Sequence, residues 1–165
     1  MKAKFTELKI SIAIEVYKSV KDLSKEDAEL LGAAKQAVKN AYAPYSEFNV
    51  GAALRLANGQ IHIGNNQENA AYPSGLCAER VAIFHAGAIY PNVRIDTIAV
   101  TCKTKKVKIN VPLSPCGACR QAISEYENKY NKPIRMIMQG ETGEIYITKS
   151  MEDLLPMTFS KKYLK

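Results

Sequence analysis

Three cysteines constrain this chain more than any other feature. Cys77 lies in Cys77-Ala78-Glu79, and thirty-nine residues later Cys116 and Cys119 lie in Pro115-Cys116-Gly117-Ala118-Cys119. Residues three apart are neighbours on a helix surface, so Cys116 and Cys119 share one face of a first helical turn. Cys77 also opens a segment of helical pattern, so two helix starts must meet if the three thiols are to act together. Helix starts favour thiolates, because their unpaired N–H groups and positive dipole end lower thiol pKa values. The N-terminus, Met-Lys-Ala-Lys-Phe-Thr-Glu, lacks the apolar run of a secretory signal, and no stretch approaches the ~18 apolar residues of a membrane helix. The expected location is cytoplasmic, where thiols stay reduced and clustered cysteines point to metal or catalysis rather than disulfides.

Three thiolates give Zn²⁺ three ligands and leave a fourth position open, as a catalytic zinc site requires; a structural site normally takes four protein ligands. A lone Cys-x-x-Cys leaves both readings open. Glu79, two residues after Cys77, tips the balance. A carboxylate that is not itself a ligand can accept a proton from activated water and pass it on. Zinc with three thiolates carries one net negative charge. Arg80, three residues after Cys77, can turn back to the thiolates and offset that charge through charge-assisted hydrogen bonds. The fourth cysteine, Cys102, ends a strand pattern and reads as a core thiol, and His62 and His85 read as structural.

The remaining pattern is that of an α/β protein. From Leu8 to Val16 every second residue is apolar, which predicts a strand. Ser24-Lys25-Glu26-Asp27 reads as a capping box opening a helix that runs to about Tyr42, stopped by Pro44. Phe48 to Leu56 and Gln60 to Gly64 read as a hairpin about Asn58-Gly59, followed by a loop over 65–75. Helices start near Cys77 and near Cys116, the latter running to about Tyr130. Strands are expected at Ile95 to Thr101, Ile134 to Met138 and Glu144 to Thr148. Ser150-Met151-Glu152-Asp153 reads as a second capping box with a short C-terminal helix, limited by Pro156. This order implies a three-layer α/β/α sandwich with a mixed five-stranded core sheet, helices on both faces, and an extra N-terminal strand. With 165 residues, 47% hydrophobic and 24% charged, the chain is expected to form one domain over 1–165, of which 1–25 is an N-terminal extension. The net charge of +7 gathers in short runs, Lys103, Lys105, Lys106 and Lys108, and Lys161, Lys162 and Lys165. Such runs mark solvated loops and tails. No basic stripe is interleaved with aromatics, so neither a nucleic-acid nor a membrane partner is expected.

Cys-x-Glu combined with Pro-Cys-x-x-Cys is the signature of zinc-dependent nucleobase deaminases. Beyond it, Ala43-Pro44-Tyr45-Ser46, Phe48-Asn49-Val50-Gly51-Ala52-Ala53, Asn66-Gln67-Glu68-Asn69-Ala70-Ala71-Tyr72, Cys77-Ala78-Glu79-Arg80, Ser114 to Gln121, and Leu154-Leu155-Pro156 with Phe159 together resemble the small homotetrameric cytidine deaminases, over about Ala34 to Leu164. The resemblance implies one Zn²⁺ per subunit on Cys77, Cys116 and Cys119, with Glu79 as the catalytic proton carrier. It also implies hydrolysis of cytidine and 2′-deoxycytidine to uridine and 2′-deoxyuridine with release of ammonia, in pyrimidine salvage. It assigns Asn66 and Glu68 to the ribose 3′-hydroxyl, Phe48 to the pyrimidine face, and Ala78 and Glu79 to the base edge. Ser114 and Pro115 fall to the departing ammonia, Tyr72 to the sugar and subunit contacts, and Phe159 to a neighbouring subunit's site in a homotetramer with shared active sites. Taken alone, Asn66 and Glu68 read as an Asx-rich turn, Phe48 as core packing and Phe159 as a C-terminal anchor.

Three alternatives remain at this level. One is a deaminase of cytosine in RNA or single-stranded DNA, against which stands a pair that would close on a free 3′-hydroxyl. Another acts on a nucleoside analogue. The third is a non-catalytic zinc-binding module, which would be indifferent to Glu79→Ala.

Overall fold

Alternating side chains send each strand's residues to opposite faces of a six-stranded sheet in the order β1-β6-β5-β4-β2-β3. This computed structural model describes residues 4–164; residues 1–3 of the expected extension and Lys165 of the C-terminal basic run lie outside them. The elements in chain order are β1 (Glu15–Tyr17), α1 (Lys25–Ala37), β2 (Phe48–Leu56), β3 (Ile61–Asn65), α2 (Ala78–Ile89), β4 (Ile95–Thr104), α3 (Gly117–Tyr130), β5 (Arg135–Gln139) and β6 (Ile145–Thr148). Short 3-10 turns join several of them. β4 and β5 are parallel and the other pairs antiparallel, so the sheet is mixed.

The two faces carry separate cores. Ala52, Leu54, Ile98, Val100, Met136 and Met138 pack against Ala82 and Ile83 of α2 and Ile123 of α3. Their sequence neighbours Ala53, Ala99 and Ile137, with Ile145 and Ile147, pack against Leu30, Leu31 and Ala34 of α1. This is the three-layer sandwich expected from the sequence. Burying one such Leu or Ile side chain contributes roughly 1.5–3 kcal/mol. A bidentate ion pair, Asp27 with Arg135 at 2.9 Å through both nitrogens, fastens α1 to β5.

Four expectations need correction. The N-terminal strand is confined to Glu15–Tyr17. It pairs with Ile147, Tyr146 and Ile145, and β6 ends one residue further at Thr148, so residues 8–14 meet no ladder. Their apolar side chains stay largely in solvent, Leu8 at 80% and Ile10 at 53% exposure. α1 stops at Ala37 rather than near Tyr42; a 3-10 turn over Val38–Asn40 follows, and Ala41 is already extended ahead of Pro44. Only half of the first capping box forms: Ser24 accepts from the Asp27 amide, while the Asp27 carboxylate goes to Arg135. The second box at Ser150 forms in full but opens a three-residue 3-10 turn, Met151–Asp153, instead of a helix.

Two glycines shape the path from β2 to α2. Gly59 takes φ +84° in the β2–β3 turn, a region costly for residues with a Cβ. On β3, a Cβ at Gly64 would lie 2.5 Å from both the Ala78 carbonyl and the Ala82 amide, so the bare backbone lets the first turns of α2 lie on the sheet.

Candidate active site

β3 and β4 both run antiparallel to β2, so they end at the same edge of the sheet. The loop from β3 leads into α2, and the loop from β4 leads into α3. Cys77 is the N-cap of α2 and Cys116 the N-cap of α3, both in extended backbone conformation. Cys119 sits one turn inside α3 and is buried. Neither N-cap sulfur caps its own helix, which leaves both free for another partner.

The three sulfurs lie within 4.8 Å of one another. Cys77 Sγ is 3.7 Å from Cys116 Sγ, which is 3.5 Å from Cys119 Sγ. Tetrahedral zinc with bonds near 2.3 Å places its sulfurs ~3.8 Å apart. The donor set and its spacing therefore fit the Zn²⁺ expected from the sequence. Hydrogen bonding from Cys119 holds the Cys77 thiol down to about 5; burial opposes this, and Cys116 and Arg80 add to the lowering. The same hydrogen bond, burial and the Glu79 charge push Cys119 up. Cys77 is thus a readier thiolate than Cys119.

Glu79 lies in the first turn of α2 and is 4% exposed. Burial raises its pKa, and the Cys77 charge adds to the rise. Arg80 donates from Nη2 to the Gly75 carbonyl at 3.3 Å and its positive charge helps to lower the Cys77 thiol, while its Nε is buried without a partner. That orphan donor beside the sulfurs suits a cluster that gains negative charge when all three thiols ionise.

A cavity of about 630 Å³ opens on this cluster, a size suited to a small molecule. Of the residues singled out from the sequence, Asn66, Glu68, Tyr72, Cys77, Glu79, Arg80, Ser114 and Cys116 line it. Phe48, Ala78, Pro115, Cys119 and Phe159 do not. Val50, two residues along β2 from Phe48 and on the same face, reaches the cavity instead. Phe159 is 57% exposed and stacks on Tyr163 at 5.6 Å. Cys102 is buried in β4, where burial raises its thiol to about 11. His62 packs edge-on against His85 and Tyr90, away from the cavity.

Asn66 and Glu68 are held by contacts that their spacing did not disclose. The Asn66 amide bridges the β2 backbone, accepting from the Val50 amide at 2.7 Å and donating to the Phe48 carbonyl at 2.9 Å. Glu68 accepts from the Tyr45 amide and from the Ser46 hydroxyl. Backbone bonds from Gln67 to Leu76 and from Glu68 to Tyr42 pin the rest of the loop. Tyr45, Ser46, Val50 and Leu113 line the cavity without having been assigned a role. Tyr45 and Ser46 stand within the Ala43-Pro44-Tyr45-Ser46 stretch, so a signal was present; Leu113, beside Ser114, carried none.

The sequence profile of the cytidine and deoxycytidylate deaminase zinc-binding region matches residues 24–131. A cytidine deaminase of Sporosarcina psychrophila is 41% identical over 137 residues, covering 82% of this chain and 93% of that protein. One from Halalkalibacterium halodurans is 41% identical over 133 residues, covering 79% and 92%. The crystal structure of cytidine deaminase from Burkholderia pseudomallei superposes with a TM-score of 0.68 at 40% identity, over 79% of this chain and 97% of that one.

Proposed function

The chain belongs to the cytidine and deoxycytidylate deaminase family, and we propose that it hydrolyses cytidine and 2′-deoxycytidine to uridine and 2′-deoxyuridine, releasing ammonia. The observation that carries this reading is the convergence of Cys77, Cys116 and Cys119 beside a buried Glu79 on one cavity of nucleoside size. Cys77, Cys116 and Cys119 hold Zn²⁺, which supplies Lewis-acid activation of water.

Glu79 carries the protons. Its carboxylate takes one from the water that adds to C4 of the cytosine ring and delivers it to N3. A second transfer, from the added hydroxyl to the amino group, lets the C4–N bond break and ammonia leave. Burial supports this role, because it raises the Glu79 carboxyl above its ordinary range and so favours holding a transferred proton. The Ala78 backbone and the Glu79 side chain hold the base edge, and the β2 face that carries Phe48 and Val50 packs on the pyrimidine, with Val50 the residue of the two that lines the cavity. The Ser114–Pro115 backbone faces the departing ammonia. Asn66 and Glu68 meet the ribose 3′-hydroxyl, Tyr72 stands at the sugar side, and Arg80 offsets the charge of the thiolates.

Residues 1–165 are read as one domain, which the continuous sheet supports. A homotetramer with shared active sites agrees with the place of Phe159, exposed and outside its own chain's cavity. Pyrimidine salvage in the cytoplasm is the setting such an activity suits. Among the described residues no helix is long and apolar enough to cross a membrane.

The test is the ultraviolet absorbance of cytidine mixed with zinc-loaded protein, with Glu79→Ala in parallel. A fall in absorbance with the wild type and none with the variant is expected. An inert, fully metallated wild type would remove the free nucleoside as substrate.

A further inference from the structure

Arg120 follows Cys119 in the first turns of α3. A cation near a helix N-terminus opposes the helix dipole, so its place there calls for a reason in what the guanidinium touches. Nε donates to the Pro115 carbonyl at 2.9 Å and Nη2 to the Ser114 hydroxyl at 2.9 Å. Nη1 donates to the Leu154 carbonyl at 2.6 Å. One planar group thus spans three acceptors in directions fixed by its fork, a geometry no lysine can reproduce.

Those acceptors belong to two segments that lie outside every strand ladder. Residues 105–116 contain no helix or strand, so the rim of the cavity at Ser114 takes no position from a ladder. Leu154 follows the Met151–Asp153 turn, and its side chain packs against the core under α2 and α3. The guanidinium therefore uses the anchored C-terminal segment to hold the Ser114–Pro115 backbone against the start of α3, which carries Cys116 and Cys119.

We propose that Arg120 is a positioning residue for the deamination: it sets the Ser114–Pro115 backbone relative to Cys116 and Cys119. This rests on the function proposed above, in which that backbone meets the departing amino group while the sugar is held elsewhere, by Asn66 and Glu68. Loss of Arg120 should then act on turnover more than on binding.

The experiment compares wild type, Arg120→Ala, Arg120→Lys and Ser114→Ala for cytidine kcat and KM, for the rate of zinc loss to a chelator, and for thermal unfolding. For Arg120→Ala, kcat is expected to fall about 10- to 100-fold, the range typical when a group that orients metal ligands is removed. KM should move far less, and zinc should leave faster. Arg120→Lys should stay close to the alanine variant, and added guanidinium should restore part of the alanine variant's kcat. Ser114→Ala, which removes one of the three contacts, should show a smaller loss and serves where Arg120→Ala folds poorly. The proposal is overturned if folded Arg120→Ala keeps wild-type kcat and zinc-loss rate, or if lysine restores full turnover. An inactive wild type would overturn the proposed function instead, and the zinc-loss rates would still decide whether Arg120 fixes this loop.

Discussion

Glu68 accepts the hydroxyl of Ser46 at 2.5 Å across twenty-two residues of sequence, while its other oxygen accepts the Tyr45 amide at 2.9 Å. One carboxylate thereby locks the turn ahead of β2 to the loop after β3, and both line the cavity. The Ser46 hydrogen bond holds the Glu68 carboxyl below its ordinary 4.5; burial opposes it, and the two amides and the Lys106 charge add to the lowering. A depressed carboxyl pKa contributes stability that is present above the unfolded value and lost as pH falls through the folded one. Ser46→Ala should bring the Glu68 titration, followed by carbon NMR, up towards 4.5, so that acid loosening of this corner begins at higher pH. A titration identical to wild type would refute the assignment to Ser46.

Zinc on three thiolates makes both activity and stability depend on the metal, because binding to the folded chain alone shifts the unfolding equilibrium. A strong chelator should abolish cytidine deamination and lower the melting temperature, and stoichiometric Zn²⁺ should restore both. Cys77→Ser should bind zinc more weakly by elemental analysis. Full turnover in protein shown to be zinc-free would contradict the metal assignment.

Glu127 accepts the Ile134 amide at 2.7 Å and the Met151 amide at 2.9 Å, tying α3 to β5 and to the C-terminal turn. Glu127→Ala strands both donors and should cost about 2–4 kcal/mol by chemical denaturation. Glu127→Gln keeps the accepting oxygen and should cost much less. Burial raises the Glu127 pKa above 4.5, so the folded chain binds this proton more tightly than the unfolded chain. Its ionisation therefore removes stability as pH rises from the unfolded value through the folded one, and Glu127→Gln should lack that decline. Equal costs for the two substitutions would show that the hydrogen bonds are not what matters.

Gly64→Ala places a Cβ against the backbone of Ala78 and Ala82. Since neither backbone atom can rotate away, α2 must shift. A loss of about 1–3 kcal/mol is expected, together with weaker zinc retention, because Cys77 and Glu79 sit at the start of the displaced helix. A variant with wild-type stability and zinc affinity would mean that the helix moves without cost to the site.

Much of the molecule could be read from local pattern. The strand Phe48 to Leu56 was legible with both its ends, and Asn58-Gly59 marked its turn, because those signals depend on neighbours in sequence. The helix starts at Cys77 and Cys116 were legible for the same reason, and their spacing carried the zinc chemistry. The alternation at Leu8 to Val16 misled over most of its length, since a strand also needs a partner of matching length and β6 ends at Thr148.

The sequence by itself determined the chemistry: three thiols, a carboxylate beside them, and the helix starts that favour both. Tertiary structure alone decided which groups hold that chemistry in place. Antiparallel pairing of β2 with both β3 and β4 brings the two helix starts to one edge of the sheet. The partners of Asn66, Glu68, Glu127 and Arg120 lie outside their own elements. The bonds of Asn66 to Val50, Glu68 to Ser46, Glu127 to Met151 and Arg120 to Leu154 span 16 to 34 residues and form only after the chain has closed those loops, so no local spacing encodes them.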